Sequence, residues 1–207
     1  MISIHMTRVP SSIVVAYRDD GPLSRAMGLL VAGQLPPLPP VIAGTFVTGV
    51  LLLLGVAGTD GLAVFAPAVT LLLAGPGSTH PHDGRLDWLV PPTLRVIEYT
   101  FVAACGFAHE VHPLLVFLLL GALAFHHYDL VYRLRQRVYP PPWLATLGLG
   151  WDGRMMVVSL VALMGPMTVG YVALAVYLWA LFGWESLTCW LASPRSGVET
   201  ADMGTQD

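Results

Sequence analysis

An all-α polytopic membrane bundle, with five transmembrane helices or six, is what three features of the 207-residue chain predict. Hydrophobic residues make up 55% of it and charged residues only 11%, where a soluble domain carries roughly 25% charged residues. The apolar residues fall in runs near the length of about 20 helical residues that crosses a hydrocarbon core about 30 Å thick. The charges sit between these runs, or at a few positions inside the later ones.

Residues 1–40 hold Arg8, Arg18, Asp19, Asp20 and Arg25 with no uninterrupted apolar stretch before them, so no cleavable secretory signal is expected. They read as a cytoplasmic, interfacial segment that Pro36-Pro37 and Pro39-Pro40 close with a stiff turn. A bundle over 41–192 follows. Spans 41–58 and 61–75 are joined through Thr59 and Asp60 and form a hairpin. Span 89–107 is apolar except for Arg95 and Glu98, and span 111–132 ends in His126, His127, Tyr128 and Asp129. Run 155–184 would extend about 45 Å as one helix, and Gly165-Pro166 in its middle predicts a kink or a break, hence the sixth short span. Residues 193–207 are small and polar and are expected to be a disordered tail.

All ten basic residues are arginines, scattered along a chain of formal net charge −3, which excludes a nucleic-acid-binding stripe. Their placement sets the orientation. With the N-terminus in the cytoplasm, Arg8, Arg18, Arg25, Arg85, Arg133, Arg135, Arg137 and Arg154 are all cytoplasmic, and Arg195 alone lies in an outer tail. Cys105 and Cys189 lie in apolar runs and imply neither a disulfide scaffold nor a thiolate metal site.

This topology brings Arg95, Glu98, His126, His127 and Asp129 to one leaflet, together with the loops 80–88 and 150–154. An ionisable side chain inside a span costs roughly 2.5–3.5 kcal/mol, so such a cluster marks a functional cavity, and one polar pocket is expected to gather them. The structural alternative pairs Arg95 with Glu98 at i, i+3 and Asp129 with Arg133 at i, i+4, with Asp87 and Asp152 as N-caps of their own helices. His109-Glu110-Val111-His112 has its histidines at i, i+3 and runs into Pro113, which makes it a loop on the far side rather than a zincin motif. His80, His82, His126 and His127 could face one another, but the repeated histidine boxes of membrane di-iron oxygenases are absent and no metal is expected. Aromatic residues concentrate in and beside the later spans. Trp88, Trp143, Trp151 and Trp184 suit an interfacial belt, while an aromatic-lined apolar pocket with a few carboxyls suits carbocation chemistry.

The segments Gly84-Arg85-Leu86-Asp87-Trp88-Leu89-Val90-Pro91-Pro92, Glu98-Tyr99, His126-His127-Tyr128-Asp129-Leu-Val-Tyr132-Arg133 and Gly150-Trp151-Asp152-Gly153-Arg154 resemble an actinobacterial membrane domain found beside CDP-alcohol phosphatidyltransferases. They also resemble the small membrane terpene cyclases of bacterial indole-sesquiterpenoid pathways, of the xiamycin and drimentine type. The metal-binding D-G-x2-A-R-x8-G-x3-D-x3-D motif of the transferases is missing, as are DDxxD and NSE-like triads, so neither transfer nor ionisation of a diphosphate is expected.

The resemblance implies a bacterial plasma-membrane protein with its site toward the cytoplasmic leaflet, performing a metal- and cofactor-free cyclisation that a protonated carboxyl begins. The substrate would be lipophilic, a farnesylated indole or its epoxide, reached from the bilayer. Glu98 and Asp129 are the first candidates for acid and base, then Asp87 and Asp152. Arg95 and Arg133 would tune or orient them, His126, His127, Tyr99 and Tyr128 would relay protons, and Trp88, Trp151, Tyr171 and Trp179 would form the wall. Two alternatives stay open: a non-catalytic scaffold for a phosphotransferase, and a metal-dependent lipid-modifying enzyme. Oligomeric state is not legible.

Overall fold

The computed structural model describes residues 11–56 and 61–192. The expectations for the first ten residues, the Thr59-Asp60 link and the tail fall outside them. Among the described residues the chain is helical throughout, with no strand: α1 (Ser11–Arg18), α2 (Pro22–Leu30), α3 (Leu38–Val56), α4 (Ala66–Ala74), α5 (Val90–Ala108), α6 (Pro113–Arg135), α7 (Pro142–Leu147), α8 (Gly150–Met164) and α9 (Met167–Ala192). Single 3-10 turns extend α4 at both ends and lead into α5.

Five segments are long and apolar enough to cross a membrane: Leu38–Gly55, Leu62–Thr79, Pro113–Arg135, Pro142–Met164 and Met167–Ala192. The protein is therefore an all-α multi-pass membrane protein. The five are not quite those of the sequence reading. Helix α5 is as long as α3, at 19 residues, but carries Arg95 and the buried Glu98 and is not among them. The last run breaks where Gly165 takes φ +95°, ahead of Pro166, which has no amide proton to donate, so α8 and α9 are separate helices.

The outer surface is apolar, with Phe46, Leu53, Phe117, Leu163, Val176 and Leu187 exposed. In water such a surface would be a liability; against lipid tails it is the expected one. Between helices, Thr48 and Thr70 share a 2.6 Å hydroxyl hydrogen bond that pins α3 to α4. Leu94, Phe101, Leu119, Leu123, Trp151, Met155 and Leu178 fill the interior from α5, α6, α8 and α9.

Helices α6 and α9 run parallel: Leu118 contacts Trp179, His126 stacks on Phe182, and Arg133 pairs with Glu185. The end of α9 thus lies beside the end of α6, on the same side as the N-terminal helices. The five-span reading put this end on the opposite side; the break at Gly165, which separates α8 from α9, accords instead with the six-span alternative. The described part of the N-terminal segment packs into that end of the bundle. Arg18, Asp20 and Ser24 are buried, and α2 packs closely on the turn 75–79.

Two glycines make that docking possible. A Cβ on Gly21 would stand 2.0 Å from the Leu149 carbonyl oxygen, and one on Gly150, at φ +60°, 2.0 Å from the Gly21 nitrogen. With both bare, the backbones touch, and Trp151 donates its amide to the Asp19 carbonyl at 3.1 Å. Asp152 completes the joint. It does not cap its own helix as expected, but accepts the amides of Gly21 and Ser24, at 2.6 and 2.9 Å, and so caps α2 across 131 and 128 residues of sequence. Asp152→Ala is expected to cost about 1–2 kcal/mol and to raise amide exchange in α2 before the rest of the protein, measured by hydrogen–deuterium exchange mass spectrometry.

Candidate functional site

The polar residues collect at one end of the bundle, as expected, but in three buried charge networks rather than one pocket. The first is built on Arg18, whose guanidinium donates to both oxygens of Asp20 at 2.6 and 3.2 Å, to the Ala74 carbonyl and to Nε2 of His82 at 3.2 Å. Trp151 donates its indole N–H to Asp20 at 2.8 Å. Because Arg18 can only donate, His82 presents Nε2 as an acceptor, so Nδ1 carries the hydrogen and donates to the His80 carbonyl.

Burial, and then the Arg18 guanidinium, push the His82 pKa below the ordinary imidazole value, against Asp20 and Asp87, which oppose the shift. The unfolded chain then binds a proton that the folded protein refuses, so stability is complete above about pH 6.5 and falls as the pH drops through that value. Thermal unfolding in detergent at pH 8, 6.5 and 5.5 should show this loss, and His82→Gln should lessen it.

The second network is the candidate site. Asp19 stands at its centre in the α1–α2 joint, at φ +51°. Its Oδ1 lies 3.4 Å from Nε2 of His126, and its Oδ2 accepts from Nε2 of His127 at 3.3 Å and from Arg154 at 2.8 Å. Arg154 also donates to Glu98 at 2.6 Å and to the Gly148 carbonyl at 2.9 Å. On the other face of His127, Nδ1 lies 2.6 Å from the Tyr99 hydroxyl. With Nε2–H directed at a carboxylate, Nδ1 is the acceptor and the tyrosine the donor. Arg95 donates to the Tyr17 carbonyl and approaches Glu98 at 3.6 Å. Burial opposes charge on Asp19, but Arg154 and the two imidazoles outweigh it and hold the carboxyl well below the usual range, so Asp19 is an anion at physiological pH.

Two pockets border α1 and meet this network, one at His127 and the other at Asp19 and His126. One, of about 370 Å³, is walled by Val14, Tyr17, Trp88, Pro91, Leu130 and Val131, and by two ionisable side chains, Arg95 and His127. The other, of about 190 Å³, is more polar and is bounded by Asp19, Arg25, His126, Tyr139 and a run of three prolines. Leu130 belongs to both.

The third network lies at the end of α6. Arg133 pairs with both oxygens of Glu185, at 2.6 and 2.7 Å, and with Asp129 at 2.6 Å, and Trp190 donates to Asp129 at 3.3 Å. Asp129 and Glu98 therefore belong to different networks, each bonded to its own arginine, which overturns their pairing as acid and base. The i, i+4 pairing of Asp129 with Arg133 is present, while the Arg95–Glu98 pair is loose because Glu98 has a closer partner in Arg154.

Other expected site residues disperse. Asp87 accepts the Gly84 amide at 2.9 Å and braces the loop before α5, without capping it. Tyr128 is exposed and stacks on Tyr132. Of the expected wall, Trp88 lines the larger pocket, whereas Trp151, Tyr171 and Trp179 spend their polar atoms on Asp20, the Val102 carbonyl and the Leu118 carbonyl. His109 and Glu110 form the α5–α6 turn, and His112 caps α6 by accepting the Leu114 amide at 3.2 Å.

The four histidines considered together do not share one site, and His82 belongs to the Arg18 network. His80 falls near Asp83 and Asp87, while His126 and His127 lie with Asp19, their nearest polar atoms within 4.8 Å of one another in each group. In the second group Arg154 already occupies Asp19, which leaves the carboxylate little charge to offer a cation.

The fold and this site define a multi-pass helical membrane protein with a carboxylate–diimidazole centre set between two pockets. The chain belongs to a family of unknown function, DUF5941, which matches it over residues 11–206. No curated protein and no solved structure matches it.

Proposed function

We propose that the protein is a membrane terpene cyclase in which an isoprenoid chain enters the 370 Å³ pocket and is cyclised by proton transfer from the Tyr99–His127–Asp19 relay. The observation that carries this reading is His127, a side chain shared by the wall of an apolar pocket and a buried chain of hydrogen bonds. Such a pocket, with few polar groups placed on its wall, suits a hydrocarbon ligand. Trp88 and Tyr17 offer aromatic rings to a passing cation.

Of the two contacts His127 makes, the 3.3 Å one to Asp19 is the weaker, so Nε2 is the atom free to turn toward substrate. A second proton taken up at Nδ1, as the Tyr99 hydroxyl turns to accept, makes His127 an imidazolium, an acid strong enough to open a strained epoxide, whose oxygen is a far better base than an alkene carbon. The C–O bond breaks as O–H forms, alkene electrons close the ring, and loss of a ring proton to a base ends the sequence. Substrate and product are then isomers. Glu98, Arg154 and Arg95 hold Asp19 and the α1–α2 joint in place. Asp129 with Arg133 and Glu185 locks α6 to α9, so the acid role moves from Glu98 and Asp129 to His127.

The polar end carries Arg18, Arg25, Arg85, Arg133, Arg135, Arg137 and Arg154, which favours the cytoplasmic side of a bacterial plasma membrane. The test is to incubate membranes containing the protein with farnesylated indoles, their epoxides and free prenyl diphosphates, with and without EDTA, and to separate products of unchanged mass. Cyclised isomers formed equally with EDTA are expected from the epoxides. Products that appear only without EDTA would overturn the metal-free mechanism, and no isomer from any substrate would overturn the cyclase reading.

A further inference from the structure

The two oxygens of Asp19 meet two imidazoles that face different pockets. His126, with Asp19 itself, lines the smaller polar pocket, and His127 lines the larger apolar one. We infer that the smaller pocket admits protons to the site: once His127 has given its Nε2 proton to substrate, His126 passes a proton from Nε2 to Asp19 Oδ1, Oδ2 passes one to the bare Nε2 of His127, and water in the smaller pocket reprotonates His126. This deepens the cyclase reading and rests on its assignment of His127 as donor.

An apolar chamber filled by a hydrocarbon contains no water to recharge its acid, so an acid that turns over there needs a supply from behind. The geometry provides one. The ring of His126 is held face to face with Phe182, centroids 4.0 Å apart and 10° from parallel, which fixes its Nε2 toward the carboxylate. Arg154 and the Asp19 carbonyl's bond to Trp151 hold the carboxylate between the rings. Each transfer moves one proton between adjacent groups and returns the relay to its starting state once His126 is reprotonated. In this scheme His126 is a positioning residue, acting on substrate only through Asp19 and His127.

The experiment reads proton exchange rather than turnover. With ring-¹⁵N histidine in the full chain in lipid nanodiscs, NMR measures exchange of the His127 ring N–H with water. His126→Phe should slow that exchange at least 10-fold while the Tyr99-dependent shift of the His127 ring persists, and imidazole added to His126→Ala should restore it. Ala145→Trp, which fills the smaller pocket from its rim, should slow it equally and decides the matter if the His126 variants do not fold. Unchanged exchange at His127 in folded His126→Phe overturns the route. Slowed exchange in a protein that yields no cyclised isomer leaves the route standing and removes the cyclase reading alone.

Discussion

Asp19→Asn is expected to lower turnover of a prenyl epoxide by at least about 10²-fold, the scale of losing a positioned acid or base, while the protein stays folded. The asparagine keeps the shape and can still accept from Arg154, but it carries no charge to stabilise an imidazolium and cannot hand on a proton. His127 would lose the anion behind it, and Arg154 would keep Glu98 at 2.6 Å as its remaining carboxylate. Glu98→Gln separates the roles. It removes the tighter carboxylate from Arg154 without touching the relay, so it should destabilise the protein more than it slows the reaction. Thermal unfolding and initial rates on the same preparations distinguish the two. If Glu98→Gln abolishes turnover in a stable protein while Asp19→Asn retains it, the assignment of the acid is reversed.

The largest effect on stability is expected at Arg133. Its guanidinium is fully buried and is the shared partner of Asp129 and Glu185. Arg133→Leu leaves two buried carboxylates facing each other with no cation, and removing one partner from a buried ion pair costs about 3–5 kcal/mol. Loss of α6–α9 packing should show as a large fall in the detergent unfolding midpoint and poor recovery of folded protein. The triple replacement Arg133→Leu, Asp129→Leu and Glu185→Leu should recover much of that loss, because apolar residues of similar size impose no charge to bury. Recovery by the triple variant marks the triad as a fastener between helices. A stable Arg133→Leu protein would mean that the carboxylates are neutral or solvated, contrary to this account.

The apolar runs other than α5, the break at Gly165-Pro166 and the convergence of polar groups at one end were legible because they follow from run length, a residue that cannot donate, and chain direction. The membership of each network was not. Asp19 stands 108 positions from His127, and the pairing depends on a backbone contact between Gly21 and Gly150 that no periodicity announces. Two adjacent acids in a mixed-polarity segment look like solvated surface until α1 and α2 are seen to fill the end of the bundle. Glu185 was open to detection, since it is a lone carboxylate in a long apolar helix and such a residue calls for a partner. Local spacing correctly paired Asp129 with Arg133, but for Glu98 the local partner Arg95 lost to Arg154, which reaches it at 2.6 Å from another helix.

The most direct measurement is the product made from an epoxidised farnesyl indole by purified protein in nanodiscs, wild type against His127→Gln. The account predicts a ring-closed isomer of unchanged mass from the wild type, formed with or without EDTA, and a rate at least about 10²-fold lower from His127→Gln. The same isomer formed at wild-type rate by a folded His127→Gln protein would contradict it.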